Sequence, residues 1–202
     1  YTNDTKGMFL DAMDFSNDKD GVVVGDPVGG RFFIARTADG GNTWKDETFE
    51  NCPVADSGEA CFASSGTNIR KLKNGREILV SGGLSAHLII VGRRPSDDST
   101  KGRKIVLPII QGKETTGANS VALKNKKIMI VVGGDFNTKD STEKNCFITK
   151  NGGKDWYAPA ISPHGYRSCI EFINDKTWIA CGLSGADIST DNGKIFTQFS
   201  KE

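Results

Sequence analysis

Short apolar runs separated by turn residues extend along the whole chain. Residues 9–15, 31–36 and 87–91 are typical, since glycine, asparagine or aspartate comes within three residues of the end of each run. Strands of about five residues bounded by such turns indicate an all-β fold. The 24 glycines suit many tight turns, and no apolar run approaches the ~18 residues that a membrane-spanning helix needs. We therefore predict an all-β protein without a membrane span.

Three stretches repeat one pattern: a hydroxyl residue, any residue, Asp or Asn, any residue, Gly, and an aromatic residue three positions later. They lie at 37–44, 149–156 and 189–196, and their fixed positions are Asp39, Gly41 and Trp44; Asn151, Gly153 and Trp156; and Asp191, Gly193 and Phe196. We expect the Asp or Asn side chain to accept hydrogen bonds from the N–H groups two and three residues further on. The glycine permits the turn, and the aromatic residue begins the next strand and buries apolar area. These roles are structural, and the pattern resembles the Asp-box of bacterial neuraminidases and many other β-propellers.

Four segments follow one plan of four strands, at approximately 8–49, 59–109, 117–160 and 165–200. Within them we expect strands at 60–64, 87–91 and 146–149, among others, and a loop at 25–30. In the second segment the repeat is degraded: Gly102 and Ile105 keep its register, whereas Asp98 and Thr100 stand at the hydroxyl and Asp positions, inside a lysine-rich insertion at 95–104. The repeat glycines are 61, 51 and 40 residues apart, and the shortest spacing is normal for a four-stranded propeller blade. The fold prediction is an all-β propeller of four-stranded antiparallel blades, four of them in this chain.

An arc of four blades exposes strand edges and apolar faces. The chain starts at an inner strand and ends after an outer one, with no extra strand to fasten a ring. We therefore expect these blades to be part of a larger propeller of six to eight blades, completed by further blades or by a second copy of the chain.

The stretches between the repeats carry a more specific resemblance. VGDPVGGRFFI at 24–34, GEACFASSGT at 58–67, GGD at 133–135 and GYRS at 165–168 resemble a bacterial propeller family related to photosystem II stability and assembly factors. The resemblance extends from residue 7 to residue 199, and departs from the family at the lysine-rich insertion and at the chain ends. It implies a propeller that holds other proteins. Family members are often labelled oxidoreductase-like, but no G-x-G-x-x-G opening a helix supports that label in this sequence.

In a propeller, the start of each inner strand and the loop between the second and third strands lie on one face, around the central channel. This rule places mostly polar residues on that face: Asp11, Asp26, Arg31, Glu59, Ser64, Asn119, Asp135, Tyr166, Arg167 and Ser184. A concave, polar-lined mouth is the default location of a binding site. The structural alternative is that these side chains satisfy strand ends and hold loops together, as Arg31 could with Asp26.

Three functions fit this pattern. The first is a non-catalytic binding or assembly module that holds a protein, a glycan or another extended ligand over the channel face. The second is a sialidase-like glycoside hydrolase, for which the candidates are Arg31, Arg167, Tyr166, Glu59 and Asp26. A third channel-facing arginine is missing, and a carboxylate pair from Asp11, Asp26, Glu59 and Asp135 is the remaining catalytic option. The third function is a structural or adhesion scaffold. We predict the first, with no catalytic residue.

Charge and histidine placement exclude other classes. The 26 lysines and arginines nearly balance 25 aspartates and glutamates, which does not favour nucleic-acid binding. His87 and His164 are the only histidines and fall in different blades. We therefore predict no metal and no cofactor, and we expect a strand position for His87 and a loop position for His164. We expect an extracytoplasmic location, periplasmic or secreted.

The five cysteines show no metal-binding spacing. Cys52 and Cys61 flank a loop and could close it as a disulfide. Cys169 and Cys181 lie at equal distances from a turn, so they should face each other across a hairpin. That second pair could be a disulfide or two packed thiols.

Overall fold

Four antiparallel sheets succeed one another along the chain. The computed structural model describes residues 6–72, 75–92 and 103–201. The strands in these ranges are β1 (Leu10–Phe15), β2 (Gly21–Val28), β3 (Arg31–Thr37), β4 (Lys45–Asp46), β5 (Glu59–Ala60), β6 (Ile69–Lys71), β7 (Glu77–Val80), β8 (Gly82–Gly83), β9 (His87–Val91), β10 (Arg103–Val106), β11 (Thr116–Leu123), β12 (Met129–Asp135), β13 (Cys146–Thr149), β14 (Cys169–Asn174), β15 (Thr177–Gly182), β16 (Gly185–Ser189) and β17 (Thr197–Ser200). Two 3₁₀ turns, Phe49–Asn51 and Phe136–Thr138, complete the regular structure of the described ranges. The predicted all-β fold is confirmed.

Each sheet is one propeller blade. The first blade has the strand order β1-β2-β3-β4, the second β6-β7-β9-β10 and the fourth β14-β15-β16-β17. The third blade is built on β11, β12 and β13. The first strands of successive blades contact one another, β1 with β6, β6 with β11 and β11 with β14. These four strands therefore form the inner side of an arc, as the sequence predicts.

The third sheet differs from the predicted four-stranded plan. Its outer strand is reduced to one bridge, in which the N–H groups of Ile148 and Tyr157 each donate to the other residue's carbonyl, at 2.9 and 3.0 Å. The next hydrogen-bonded pair of the ladder would place Pro159 opposite Cys146, and proline has no N–H to donate. On its inner side this sheet gains β8 and β5, so it has five strands in total.

Two predicted boundaries are wrong. The strand expected at 60–64 is only the two-residue β5, which pairs with β8 and belongs to the third sheet. The loop expected at 25–30 is instead the end of β2, followed by a tight turn at Gly29 and Gly30 with φ of 61° and 80°. Residues 95–102 of the insertion, with Asp98, Thr100 and Gly102, lie outside the described ranges. Ile105 lies in β10, where the degraded repeat predicts a strand.

The core consists of three layers, each between two successive blades. Representative buried members are Phe32, Ile34, Leu79 and Ile89 for the first layer; Val80, Leu88, Met129 and Val131 for the second; and Ile130, Ile148, Trp178 and Phe196 for the third. Neighbouring strand residues point to opposite sheet faces, so the far faces of the two end blades lie outside these layers. Met13 on β1 is 59% exposed and Ile173 on β14 is 48% exposed. This exposure is consistent with a partial propeller.

The three repeat turns (37–44, 149–156 and 189–196) share one hydrogen-bond pattern. The Thr37 hydroxyl donates to Asp39 Oδ1 at 2.8 Å and accepts from Gly41 N at 2.9 Å, and Asp39 Oδ1 accepts from Thr43 N at 2.9 Å. Equivalent bonds run from Gly153 N to Thr149, Asp155 N to Asn151, Gly193 N to Ser189 and Ile195 N to Asp191. The acidic or amide side chain thus reaches N–H groups three and four residues on, not two and three, because the hydroxyl takes the nearer glycine N–H.

The aromatic residues of the repeat turns bury different amounts of surface. Phe196 is fully buried in the third core layer, whereas Trp44 and Trp156 are half-buried. Trp44 packs edge-on against Phe15 with 6.0 Å between ring centroids, and its Nε1 donates to Gly41 O at 3.1 Å. The predicted burial is therefore complete only in the last turn.

All five cysteines are free thiols. Cys52 and Cys61 are buried together in the first core layer, so the loop between them is held by packing rather than by a disulfide. Cys169 and Cys181 are register partners of β14 and β15, which confirms that they face each other across the hairpin.

Candidate functional site

The residues that the sequence places on the channel face lie at one edge of the blades. In the third blade, Thr116 at the start of β11 pairs with Asp135 at the end of β12. In the first blade, Leu10 at the start of β1 pairs with Gly25 near the end of β2. The start of each inner strand therefore lies beside the end of its neighbour, and loops from several blades meet there.

A cavity of about 550 Å³ opens at this edge, between the second, third and fourth blades. Its lining residues are Phe62, Ala63, Ser64, Asn119, Phe136, Tyr166, Ser168, Cys181, Gly182 and Leu183. Three aromatic rings form one wall in edge-to-face contacts, with Phe62 and Phe136 6.3 Å apart and Phe136 and Tyr166 6.4 Å apart. A volume of this size with mostly apolar walls is typical of ligand-binding sites.

Three polar groups lie together at one side of the cavity. Asn119 is 1% exposed, and its Nδ2 donates to Tyr166 Oη at 2.8 Å and to Ser64 Oγ at 3.2 Å. The hydroxyls of Ser64 and Tyr166 lie 3.3 Å apart. Burial raises the pKa of Tyr166 above 10, so its phenol stays neutral. A neutral phenol suits hydrogen bonding to a ligand and disfavours a role as nucleophile.

Two glycines bring the cavity walls together. A Cβ on Gly182 would lie 2.3 Å from Tyr166 O, and a Cβ on Gly82 would lie 2.4 Å from Phe62 Cε2. Neither distance is compatible with a side chain. β15 can pack against Tyr166, and β8 against Phe62, because these two glycines have no Cβ.

Two of the predicted ligand-binding residues are occupied by structural contacts. Arg167 is fully buried, and its Nε donates to Asp187 Oδ2 at 2.7 Å. Arg31 donates to Cys52 O at 2.6 Å and stacks on Phe49, so it contacts the following loop rather than Asp26. Both guanidinium groups therefore hold loops in place.

The remaining predicted residues lie in separate local networks. Asp26 Oδ1 accepts from Cys61 N at 3.0 Å. Asp135 Oδ1 accepts from Asn137 N at 2.9 Å and thereby caps a 3₁₀ turn. Glu59 is buried and accepts from Ser81 Oγ at 2.5 Å. Only Ser64, Asn119 and Tyr166 of the predicted set line the cavity.

Asp11 is the most perturbed carboxyl group of this edge. It is 7% exposed and its Oδ2 has no hydrogen-bond partner. Burial, and secondly the charge of Asp26, raise the pKa of Asp11 from 3.8 to about 7. Its folded-state pKa is therefore above its unfolded-state pKa, so the stabilisation from protonated Asp11 is complete below about pH 4 and is lost as pH rises through 7.

We expect Asp11→Asn to be more stable than the wild type at pH ~8, by about 1–3 kcal/mol, because an amide carries no charge to bury. The difference should shrink towards zero near pH ~4, where Asp11 is protonated. Urea unfolding followed by circular dichroism at both pH values measures it. Asp18→Asn, on an exposed turn, is the control. A stability difference that does not change with pH contradicts the assignment.

The apolar walls of the cavity are the part that sequence reasoning missed. Phe136 and Leu183 directly follow the last residues of β12 and β15, and Phe62 comes two residues after the end of β5. Phe136 and Leu183 are 39% and 61% exposed, and the signal that the sequence offers is a large apolar residue directly after a strand end. Large apolar side chains directly after the ends of β12 and β15 therefore mark the site better than the charges do.

Comparison with solved structures identifies the fold. The chain is similar to YCF48 bound to a D1 peptide (TM-score 0.57, 15% identity) and to YCF48 from Cyanidioschyzon merolae (TM-score 0.54, 16% identity), with 96% of this chain covered and 55% and 57% of those chains. It is also similar to a Trypanosoma rangeli sialidase in complex with 2,3-difluoro-KDN (TM-score 0.54, 13% identity, 95% of this chain and 37% of that one). No protein-family model and no curated protein matches the chain.

This chain spans about half the length of the YCF48 chains that it matches. No helix in the described ranges is long and apolar enough to cross a membrane. The identities are low, so the likeness concerns the fold. At that level it confirms the predicted resemblance to assembly-factor-like and neuraminidase-type propellers: the chain is a run of four β-propeller blades of the type found in YCF48 and in sialidase.

Proposed function

We propose that this propeller segment is a non-catalytic binding module that holds an extended segment of a partner protein across the channel face. The observation that carries the proposal is the cavity of about 550 Å³ with its aromatic wall. An apolar side chain of the partner enters the cavity, while the hydroxyls of Ser64 and Tyr166 bond the partner's backbone.

One structural neighbour and the placement of the candidate residues support this proposal over a hydrolase. The YCF48 structure contains a D1 peptide, so a propeller of this fold accommodates a peptide. The residues considered for sialidase-like chemistry do not converge in this structure: Arg167 is buried against Asp187, and Arg31 contacts Cys52. We further propose that the repeat turns are Asp-boxes and that the protein acts outside the cytoplasm.

A library of random linear peptides tests the binding site. Peptides selected on the wild-type chain are labelled, and their affinities are measured by fluorescence polarisation. Leu183→Lys places a charge at the cavity mouth on an exposed side chain, so we expect at least a tenfold loss of affinity, or about 1.4 kcal/mol. Val106→Lys is the matched control, since Val106 is 66% exposed and lies outside the cavity lining.

Two results would contradict the proposal. The first is no enrichment of peptides, or equal affinity for the wild type and Leu183→Lys. The second is turnover of a fluorogenic sialoside that is lost in Tyr166→Phe, which would replace the binding module with a hydrolase.

A further inference from the structure

A second polar cluster, none of whose members lines the cavity, joins β5 to the two outer strands of the second blade, β9 and β10. It contains Asp56, Glu59 of β5, His87 of β9 and Lys104 of β10. Glu59 is completely buried in its side chain, His87 is 7% exposed, and the side chain of Asp56 is half exposed. One ligand atom from each of Asp56, Glu59 and His87 lies within 4.8 Å of the others. The pairing of β5 with β8 brings the loop at 56 to His87.

The contacts of Glu59 fix the orientation of the imidazole ring. Glu59 Oε1 lies 2.9 Å from His87 Nδ1 and accepts from Ser81 Oγ, while Glu59 Oε2 lies 2.7 Å from Lys104 Nζ. Because Ser81 and Lys104 both donate to Glu59, the Glu59 carboxylate is placed as the acceptor for a ring proton on Nδ1. With that proton on Nδ1, Nε2 offers its lone pair.

Nε2 of His87 lies near a second carboxylate, that of Asp56. His87 Nε2 lies 3.6 Å from Asp56 Oδ2, and both atoms are acceptors when Nδ1 carries the ring proton. Zinc binds imidazole nitrogen at about 2.0–2.1 Å and carboxylate oxygen at about 2.0–2.2 Å. At a tetrahedral or slightly wider angle these bonds place the two ligand atoms about 3.3–3.6 Å apart, close to the observed separation.

Lys104 does not occupy this position. Its Nζ lies 2.8 Å from Asp56 Oδ1, the other oxygen of that carboxylate. Asp56 can therefore keep the lysine on Oδ1 and offer Oδ2 to a cation. The lysine also offsets the negative charge of the two carboxylates, which limits the attraction for a hard cation such as Mg²⁺. The imidazole nitrogen therefore determines which metal ion the site prefers.

We propose that His87 Nε2 and Asp56 Oδ2 bind one Zn²⁺ ion, with water completing the coordination and Glu59 as the positioning residue for the imidazole. A carboxylate that holds the second ring nitrogen of a histidine ligand is the usual arrangement at zinc sites. The prediction of no metal rested on the placement of the two histidines in different blades. The site needs only one of them, since a carboxylate supplies the other protein ligand.

The test is isothermal titration calorimetry of Zn²⁺ into chelator-treated protein near neutral pH. The Cys169→Ser/Cys181→Ser background removes the two least buried thiols, because thiolates bind zinc strongly. We expect one equivalent to bind, a loss of at least tenfold in Asp56→Asn, and no detectable binding in His87→Gln. Glu59→Gln should weaken binding by about 10–100-fold. Mg²⁺ should give no binding heat.

Matched controls separate this site from others. Glu143→Gln changes an exposed carboxylate elsewhere, and His164→Gln removes the second histidine, which lies 2.8 Å from Asp187. Both should bind Zn²⁺ like the background protein. Equal affinity in Asp56→Asn and the background would overturn the proposal, as would loss of binding in His164→Gln. The absence of Zn²⁺ binding, with a nuclear magnetic resonance signature of doubly protonated His87, would show that a proton rather than a metal joins His87 to Asp56.

Discussion

Replacing Arg167 with methionine is expected to destabilise the protein by about 3–5 kcal/mol, the usual effect of leaving one member of a buried ion pair alone. Both side chains are fully buried, and Arg167 Nη2 lies 2.5 Å from Asp187 Oδ2. The guanidinium also donates from Nη1 to Tyr166 O at 3.0 Å and to Ser184 Oγ at 2.9 Å. Without it, the Asp187 carboxylate keeps the contacts from His164. Urea unfolding followed by circular dichroism measures the loss.

Two variants show whether the effect comes from the lone charge. Arg31→Met removes a guanidinium from the same edge, but one that contacts a carbonyl and an aromatic ring, so we expect a loss of only about 1 kcal/mol. Arg167→Met/Asp187→Leu removes both charges and should recover most of the stability. If Arg167→Met loses no more stability than Arg31→Met, the assignment of Arg167 as a structural residue is wrong.

The strands could be predicted from the sequence because the turn residues that bound them are local signals. The expected strand at 87–91 coincides with β9, and Cys146–Thr149 was likewise expected as a strand. Boundaries failed where a distant segment decides them. β5 exists because Ala60 pairs with Gly82, and Gly82 in turn pairs with Gly117 of another blade. No local sequence signal near residue 60 predicts that pairing.

The candidate site could be predicted only in part. The propeller rule correctly brings polar residues to one edge, but it does not say which of them find partners inside the protein. Asp187, which engages Arg167, lies in the middle of β16 and was not considered as a partner. The aromatic wall could not be predicted for the same reason, since Phe62 and Phe136 come from different blades and meet only in the folded arc. Partner choice is a property of the tertiary structure.

Gly133 lies at the closest backbone approach of the third blade. It is part of β12, where its register partner is Ala118 of β11, and its N–H donates to Asn145 O at 3.0 Å. A Cβ on Gly133 would lie 1.8 Å from Gly117 O and 3.0 Å from Ala118 Cα. These are backbone atoms of a paired strand, so they cannot move aside as a flexible side chain would.

Gly133→Ala is therefore expected to destabilise the protein by about 3 kcal/mol or more, at the upper end of the range for overpacking. Gly66→Ala is the matched control, because Gly66 has a φ of 65° and nothing within 4 Å of an added Cβ. Its loss should be only about 1 kcal/mol, from backbone strain alone. The urea unfolding midpoints of the two variants separate the effect of steric overlap at Gly133 from the effect of backbone strain at Gly66. Equal midpoints would mean that β11 and β12 can separate, and that the backbone which holds Tyr166 against the cavity is less tightly packed than the structure indicates.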